Sequence, residues 1–277
     1  MLGAITLLTL LPSVLTSLPQ NQLGNPPPGV RYVDSMFEST VTTDISYGTV
    51  YNPSFQTMET LELDLYEPEN DPDPLRAVVI WVHGGTFTSG DKSDLILLGE
   101  DFASRGYVLV TPNYRLKRPS GGQTLDPAYG ASDVASCVRW LRANAVTYRI
   151  DPDRIMLGGS SSGGINVLAA GYDDLVVGLN MNHWGYSSDV QAVVECSGKL
   201  LRLDQMEAGD PPFLIVHGLL DPVIPICNAV DLVDRADAMR ITTEQLIFPN
   251  AGHAVLNSHY PIIIPTSIDF FYRHVIL

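Results

Sequence analysis

The sequence predicts an α/β fold in which a mostly parallel central sheet carries helices on both faces. Short apolar runs rich in β-branched residues alternate with stretches of helical periodicity along the 277 residues. The central runs are near-continuously apolar, as in strands buried on both sides. An apolar fraction of 45% against 17% charged residues is that of an ordinary globular chain and argues against a disordered or repeat protein.

Taken in order, Val41 to Ile45 and Thr60 to Tyr66 read as an antiparallel lead-in pair of strands. RAVVIWVH, Arg76 to His83, is a fully buried strand, and a loop leads from it to the helical pattern Leu95 to Arg105. YVLVTPN, Tyr107 to Asn113, is the next strand. Ala128 to Tyr148 then places Val134, Cys137, Val138 and Leu141 on one face of a helix. Arg154 to Gly159 is a strand, and a helix opens in the serines after it and runs through Ala170. Gln191 to Cys196 and Pro212 to His217 are two further strands, Val223 to Arg240 a helix, Gln245 to Phe248 the last strand and Thr266 to His274 a closing helix. In such sheets ligands bind beyond the carboxyl ends of the strands.

Thirty-one acidic against sixteen basic side chains leave a formal charge of −15. That field repels phosphate backbones, so nucleic acid is excluded as a partner, and strongly anionic substrates are disfavoured. Leu2 to Leu15 is apolar but too short to span a bilayer comfortably, and a Pro-rich run follows from Pro19 to Gly29. Residues 1–18 are therefore expected to be a signal peptide of a secreted or periplasmic protein, with 19–277 as one domain and no integral membrane segment once the leader is removed. The cysteines Cys137, Cys196 and Cys227 have no metal-ligand spacing. A Cys196–Cys227 bridge and three free buried thiols are both open; Cys137 belongs on the buried face of its helix.

The reactive residues fall at strand ends. The run Gly158 to Gly164, GGSSSGG, holds G-x-S-x-G in a single register: Gly159, Ser161, Gly163. It follows an apolar strand and opens a helix, the geometry that exposes a nucleophilic serine on a strained turn. A phosphate-binding turn is the alternative, disfavoured by the absence of a following Lys and by the acidic charge. A serine needs a base held by a carboxylate. Asp221 lies just past the strand FLIVHG and His253 in the loop beyond the last strand, so the chain order is Ser, Asp, His. His183 is the competing histidine; Asp231 and Asp234 are the fallback acids. After the first buried strand, HGG places the amides of Gly84 and Gly85 where, with that of Ser162, they can form an oxyanion hole.

WVHGGTF, NYRL at Asn113 to Leu116, DPDRI before GGSSSGG, HGLLDPVIP and AGH together resemble the carboxylesterase-type α/β hydrolases, nearest the hormone-sensitive-lipase-like and feruloyl-esterase-like branch. The similarity runs from about Thr60 to the C-terminus. It implies an α/β-hydrolase fold, Ser161 as nucleophile with Asp221 and His253 as its relay, and Gly84, Gly85 and Ser162 (with Thr86) as oxyanion donors. It implies hydrolysis of carboxylic esters with no cofactor and no metal. Two positions depart from the family pattern: Thr86 stands where a third glycine is frequent, and Ser162 where alanine is. Neither removes a backbone N–H.

Only a short segment, Ser197 to Pro211, separates two strands where lipases of this fold carry a cap, so little or no lid and an open cleft are expected. Such a cleft suits short-acyl, aryl or polymer-attached esters. Phe87, Trp184 and Tyr186 are candidates to line it, although Trp184 and Tyr186 serve equally to pack the irregular segment Tyr172 to Asp189. The alternatives are a feruloyl or acetyl xylan esterase, a peptidase of the same fold, and a catalytically inactive binding module, which the complete set of reactive residues opposes.

Overall fold

A computed structural model describes residues 29–118 and 126–277; the expected leader lies outside them. Eight strands form one sheet in the order β1-β2-β4-β3-β5-β6-β7-β8. β1 (Ser39–Asn52) and β2 (Thr57–Pro68) pair antiparallel, and β2 pairs antiparallel with β4 (Val108–Pro112). From β4 onward, through β3 (Arg76–Val82), β5 (Ile150–Ser160), β6 (Ala192–Cys196), β7 (Phe213–Gly218) and β8 (Thr243–Phe248), every pairing is parallel. This is the mostly parallel sheet that the alternation of strand and helix patterns predicts, in the architecture that the resemblance to α/β hydrolases implies.

The period-2 geometry of each strand divides its apolar residues between two cores. Val78, Ile80 and Val82 of β3 join one cluster with α2 (Ala128–Ala143), α3 (Ser162–Tyr172), the short α4 (Asp174–Val177) and α5 (Cys227–Met239). Ala77, Val79 and Trp81 point the other way, to α1 (Ile96–Ala103), the short α6 (Val255–Ser258) and α7 (Tyr260–Phe271). Trp81 lies across the neighbouring strand so closely that a Cβ on Gly158 would sit 2.2 Å from its ring.

Several boundaries differ from the sequence pattern for local reasons. α2 stops at Ala143, short of Tyr148. α5 begins only at Cys227, because the residues from Asp221 to Ile224 form a turn closed by the Asp221 carboxylate, which accepts the amides of Val223 (2.8 Å) and Ile224 (2.9 Å). α7 starts at Tyr260, well before Thr266, and continues through Pro265; Ser267 and Thr266 return hydroxyl bonds to the carbonyls of Ile263 and Ile262 in that turn.

Cys137 is buried in α2 as expected, but no disulfide forms. The thiol of Cys196 belongs to the core on the α1 and α7 side, whereas α5, which carries the exposed Cys227, packs on the opposite face of the sheet. Two cysteines separated by a sheet cannot meet the short Cβ–Cβ distance of a bridge. Between β6 and β7 stands only a 3-10 turn, Leu203–Gln205, so no cap is inserted there. Among the described residues no helix is long and apolar enough to cross a membrane.

Candidate active site

The parallel strands send their carboxyl ends to one edge of the sheet, and the reactive residues follow directly from that. β5 ends at Ser160, and Ser161 turns the chain into α3 with φ 54° and ψ −120°. This backbone is unfavourable for a residue with a Cβ and places its side chain proud of the turn. The turn is held by the Ser161 amide donating to Cys196 O (2.8 Å) and by the Ile165 amide donating to Ser161 O (3.0 Å). It is also tight: a Cβ on Gly159 would meet the Gly163 carbonyl at 2.6 Å, and one on Gly163 would meet Val82 O at 2.1 Å. The two glycines of G-x-S-x-G are thus required by close backbone approach.

β7 ends at Gly218 and delivers Asp221; β8 ends at Phe248 and delivers His253. Ser161 Oγ lies 2.8 Å from His253 Nε2, and His253 Nδ1 lies 2.8 Å from Asp221 Oδ2. With Nδ1 protonated and donating to the carboxylate, Nε2 is free to accept the serine proton. Burial alone would push the Asp221 carboxyl up. Hydrogen bonds from His253 and from the Ile224 and Val223 amides outweigh it and hold the acid below its ordinary range, so it stays charged. The His253 side chain keeps 23% exposure, which leaves the relay open to solvent on one side.

A second histidine supports the acid. His217, on β7, is fully buried and donates from Nε2 to Ile224 O at 2.8 Å. Burial lowers its pKa, so the ring is neutral and its 3.5 Å approach to Asp221 Oδ2 is not an ion pair. It pins the turn whose amides bind the acid. In the sequence it reads only as a strand residue, and HGLLD carries no periodic signal of that task.

The turn after β3 lies against the serine: a Cβ on Gly84 would be 3.3 Å from Ser161 Cβ and 3.1 Å from Ser160 O. Gly85 takes φ +124° and its carbonyl accepts the amides of Thr88 and Ser89 at 3.0 and 3.1 Å. Thr86 and Phe87 are held at φ 55° and 60°. Among the described residues no protein acceptor takes the amides of Gly84, Gly85 or Thr86, so they remain available to an oxyanion.

The structure therefore brings Ser161, Asp221, His253, Gly84, Gly85 and Ser162 to one place. Phe87 is half-buried beside them, its side chain against the core and its carbonyl accepting the Lys117 amide at 2.7 Å. Trp184 and Tyr186 do not join this group. Their segment is tied to β1 through Asn182 Nδ2 to Thr49 O and His183 Nε2 to Tyr47 O, and the Trp184 ring covers the Arg139 guanidinium of α2. Both side chains are exposed on that segment. His183, the competing base, is consumed by that anchor, and Asp231 and Asp234 lie along α5.

Comparison with known proteins places this geometry in context. A family model described as BD-FAE matches residues 63–207, just over half of the chain, and one described as the prolyl oligopeptidase family matches residues 171–276. Para-nitrobenzyl esterase of Bacillus subtilis (strain 168) is 29% identical over 206 residues, covering 70% of this chain and 40% of that protein. Chlorogenic acid esterase of Aspergillus niger is 26% identical over 170 residues, covering 59% and 30%. The chain spans less than half the length of these curated relatives. Thermogutta terrifontis esterase 2, in the form phosphorylated by paraoxon, superposes with a TM-score of 0.74 at 22% identity over 88% of this chain and 97% of that one. This likeness concerns the fold.

Proposed function

The chain belongs to the BD-FAE family of α/β hydrolases, and from that premise we propose that it hydrolyses carboxylic esters through an acyl-enzyme on Ser161. His253 Nε2 takes the Ser161 proton as Oγ attacks the ester carbonyl, while Asp221 orients the imidazole and stabilises its charge. The amides of Gly84, Gly85 and Ser162 hold the oxyanion of the tetrahedral intermediate. The imidazolium then protonates the leaving alcohol, and water repeats the sequence on the acyl-enzyme. What carries this proposal is the unbroken relay of two 2.8 Å contacts ending on a serine with a left-handed φ of 54°.

The absence of a cap between β6 and β7 favours short-acyl, aryl or polymer-attached esters, including feruloyl and acetyl groups on polysaccharide. Among the relatives is a protein named chlorogenic acid esterase, which fits hydrolysis of carboxylic esters. A peptidase is the second reading, favoured by the prolyl oligopeptidase match over the segment that holds Asp221 and His253. Residues 1–18 serve in this proposal as an export leader ahead of one catalytic domain, 19–277; sequencing the N-terminus of protein recovered from the culture medium tests that.

Turnover of 4-nitrophenyl acetate, methyl ferulate, acetylated xylan and an aminoacyl nitroanilide separates the readings. Ester turnover should vanish in Ser161→Ala, and a fluorophosphonate should label Ser161. An adduct on Ser160 or Ser162 would refute the assigned nucleophile, and cleavage of the anilide alone would make the protein a peptidase.

A further inference from the structure

The proposed oxyanion amides come from two segments distant in sequence, the turn after β3 and the start of α3. Backbone contact presses them together, since a Cβ on Gly163 would lie 2.1 Å from Val82 O and 2.6 Å from His83 O. Contact of this kind resists approach but not separation. The β3–β5 ladder holds the strands together as far as Val82 and Gly159; beyond it, separation is opposed by a hydrogen-bonded link through Tyr114, which follows β4. Its hydroxyl lies 3.2 Å from the His83 carbonyl and 3.1 Å from Ser162 Oγ, with all three residues buried. A carbonyl only accepts, so the phenol proton goes to His83 and the phenol oxygen accepts from Ser162 Oγ–H. Both contacts are then satisfied, and the two bonds run in one direction and polarise each other.

The link is stiff at its His83 end as well. The Tyr114 ring stacks on the His83 imidazole at 4.6 Å and 22°, and His83 Nδ1 donates to Gly84 O at 2.7 Å. Moving the phenol therefore shifts the peptide between Gly84 and Gly85 on one side and the first residue of α3 on the other. Burial pushes the Tyr114 hydroxyl up to about 12, so it remains a donor across neutral pH.

We propose that the Tyr114 and Ser162 hydroxyls form a strap that sets the spacing between the two halves of the oxyanion hole, making both positioning residues for the ester hydrolysis proposed above, on which this inference rests. Neither hydroxyl touches the reacting atoms. The strap acts on the transition state, because only there does charge on the substrate oxygen demand all the amides at once.

The test is a double-mutant cycle on the full chain with Tyr114→Phe, Ser162→Ala and both, neither of which removes a backbone N–H. With kcat normalised to sites titrated by a fluorophosphonate, each single variant should lose about five- to twentyfold in kcat, less than the loss of a whole oxyanion donor, with KM within about twofold. Inhibition by an aryl trifluoromethyl ketone, whose adduct carries the oxyanion, should weaken by a similar factor. The double variant should be no worse than the weaker single one, because both changes cut the same link. Single variants at wild-type kcat, losses that multiply in the double, or a loss confined to KM would each overturn the strap. If Tyr114→Phe fails to fold, Ser162→Ala alone decides between unchanged and lowered kcat with its parallel inhibitor shift. A wild-type chain inert toward every ester would remove the functional proposal and the strap together, whereas an active wild type with unaffected variants removes the strap alone.

Discussion

Glu195 is a carboxyl group sealed inside a molecule of formal charge −15. It sits on β6 beside Gly159 of β5, fully buried, with Oε2 accepting the Gly198 amide at 2.6 Å and Oε1 without a partner among the described residues. Burial, only partly offset by the Gly198 amide and reinforced by the charge of Asp221, raises its pKa to about 8. The acid is thus neutral in the folded protein at pH 7 but ionised in the unfolded chain. A folded-state pKa above the unfolded one means the native state binds the extra proton. The stability this confers is whole below the ordinary glutamate value of 4.5, declines above it, and is gone once pH rises through about 8. Glu195→Gln keeps the acceptor for Gly198 and cannot ionise. Its thermal midpoint should match that of the native protein near pH 4.5, exceed it increasingly up to about pH 8 and then run level, a divergence that midpoints taken at intervals from pH 4.5 to 9 would reveal. Parallel curves would mean that the carboxyl is not held neutral. At this scale the sequence pointed to Ser161, Asp221 and His253, the residues proposed to react, because each stands where a strand pattern ends, and the fold brings them within hydrogen-bond reach. The sequence carried the supporting ones badly. His217, Tyr114 and Glu195 look like filler of buried strands or their margins, and their tasks depend on neighbours from other elements. Of the two arrangements left open for the cysteines, free thiols hold, with Cys227 exposed rather than buried, since proximity of strand ends says nothing of which face a thiol points to.

The junction between β5 and α3 is the element on which the site turns. α3 begins immediately at Ser162, and the first helical turn lies on the carbonyls of Val82 and His83 with no room for a side chain at Gly163. Gly163→Ala would force a Cβ to within 2.1 Å of Val82 O, and backbone cannot yield as a flexible side chain would. Relief requires α3 to lift from β3, which should cost about 3 kcal/mol and carry the Ser162 amide away from Gly84 and Gly85. The urea midpoint should fall accordingly, with kcat depressed even where the variant is folded; an unchanged midpoint would mean that the junction is looser than the geometry requires. Strands and helices themselves were legible because a parallel sheet writes continuous apolar runs and covering helices write a 3.6 period. Boundaries were less so wherever a side chain overrode the pattern. The Asp221 carboxylate captures two amides and delays α5 to Cys227, and α7 runs through Pro265 from Tyr260, although the helical pattern read from the sequence begins at Thr266.

Across the whole molecule, the formal charge of −15 bears on which esters reach the site. The reacting groups line up at one edge of the sheet, the relay is open to solvent at His253, and no cap between β6 and β7 screens them from the surrounding field. A negative field lowers the local concentration of anions and leaves neutral molecules alone, and salt collapses it beyond roughly 8–10 Å at physiological ionic strength. A nitrophenyl ester bearing a free carboxylate, such as the hemisuccinate, should therefore be a poorer substrate than the acetate at low salt. Raising salt from about 10 mM to about 200 mM should increase kcat/KM for the charged ester by about three- to tenfold while that for the neutral one stays level. The product side follows the same logic with opposite benefit, because hydrolysis of a neutral ester creates a carboxylate that the field drives out. Competitive inhibition by acetate should then strengthen as salt is added, which steady-state inhibition at both salt concentrations measures. If the two esters respond to salt identically, the charge is spread too evenly over the surface to act on the cleft, and the acidic composition has no part in choosing substrates.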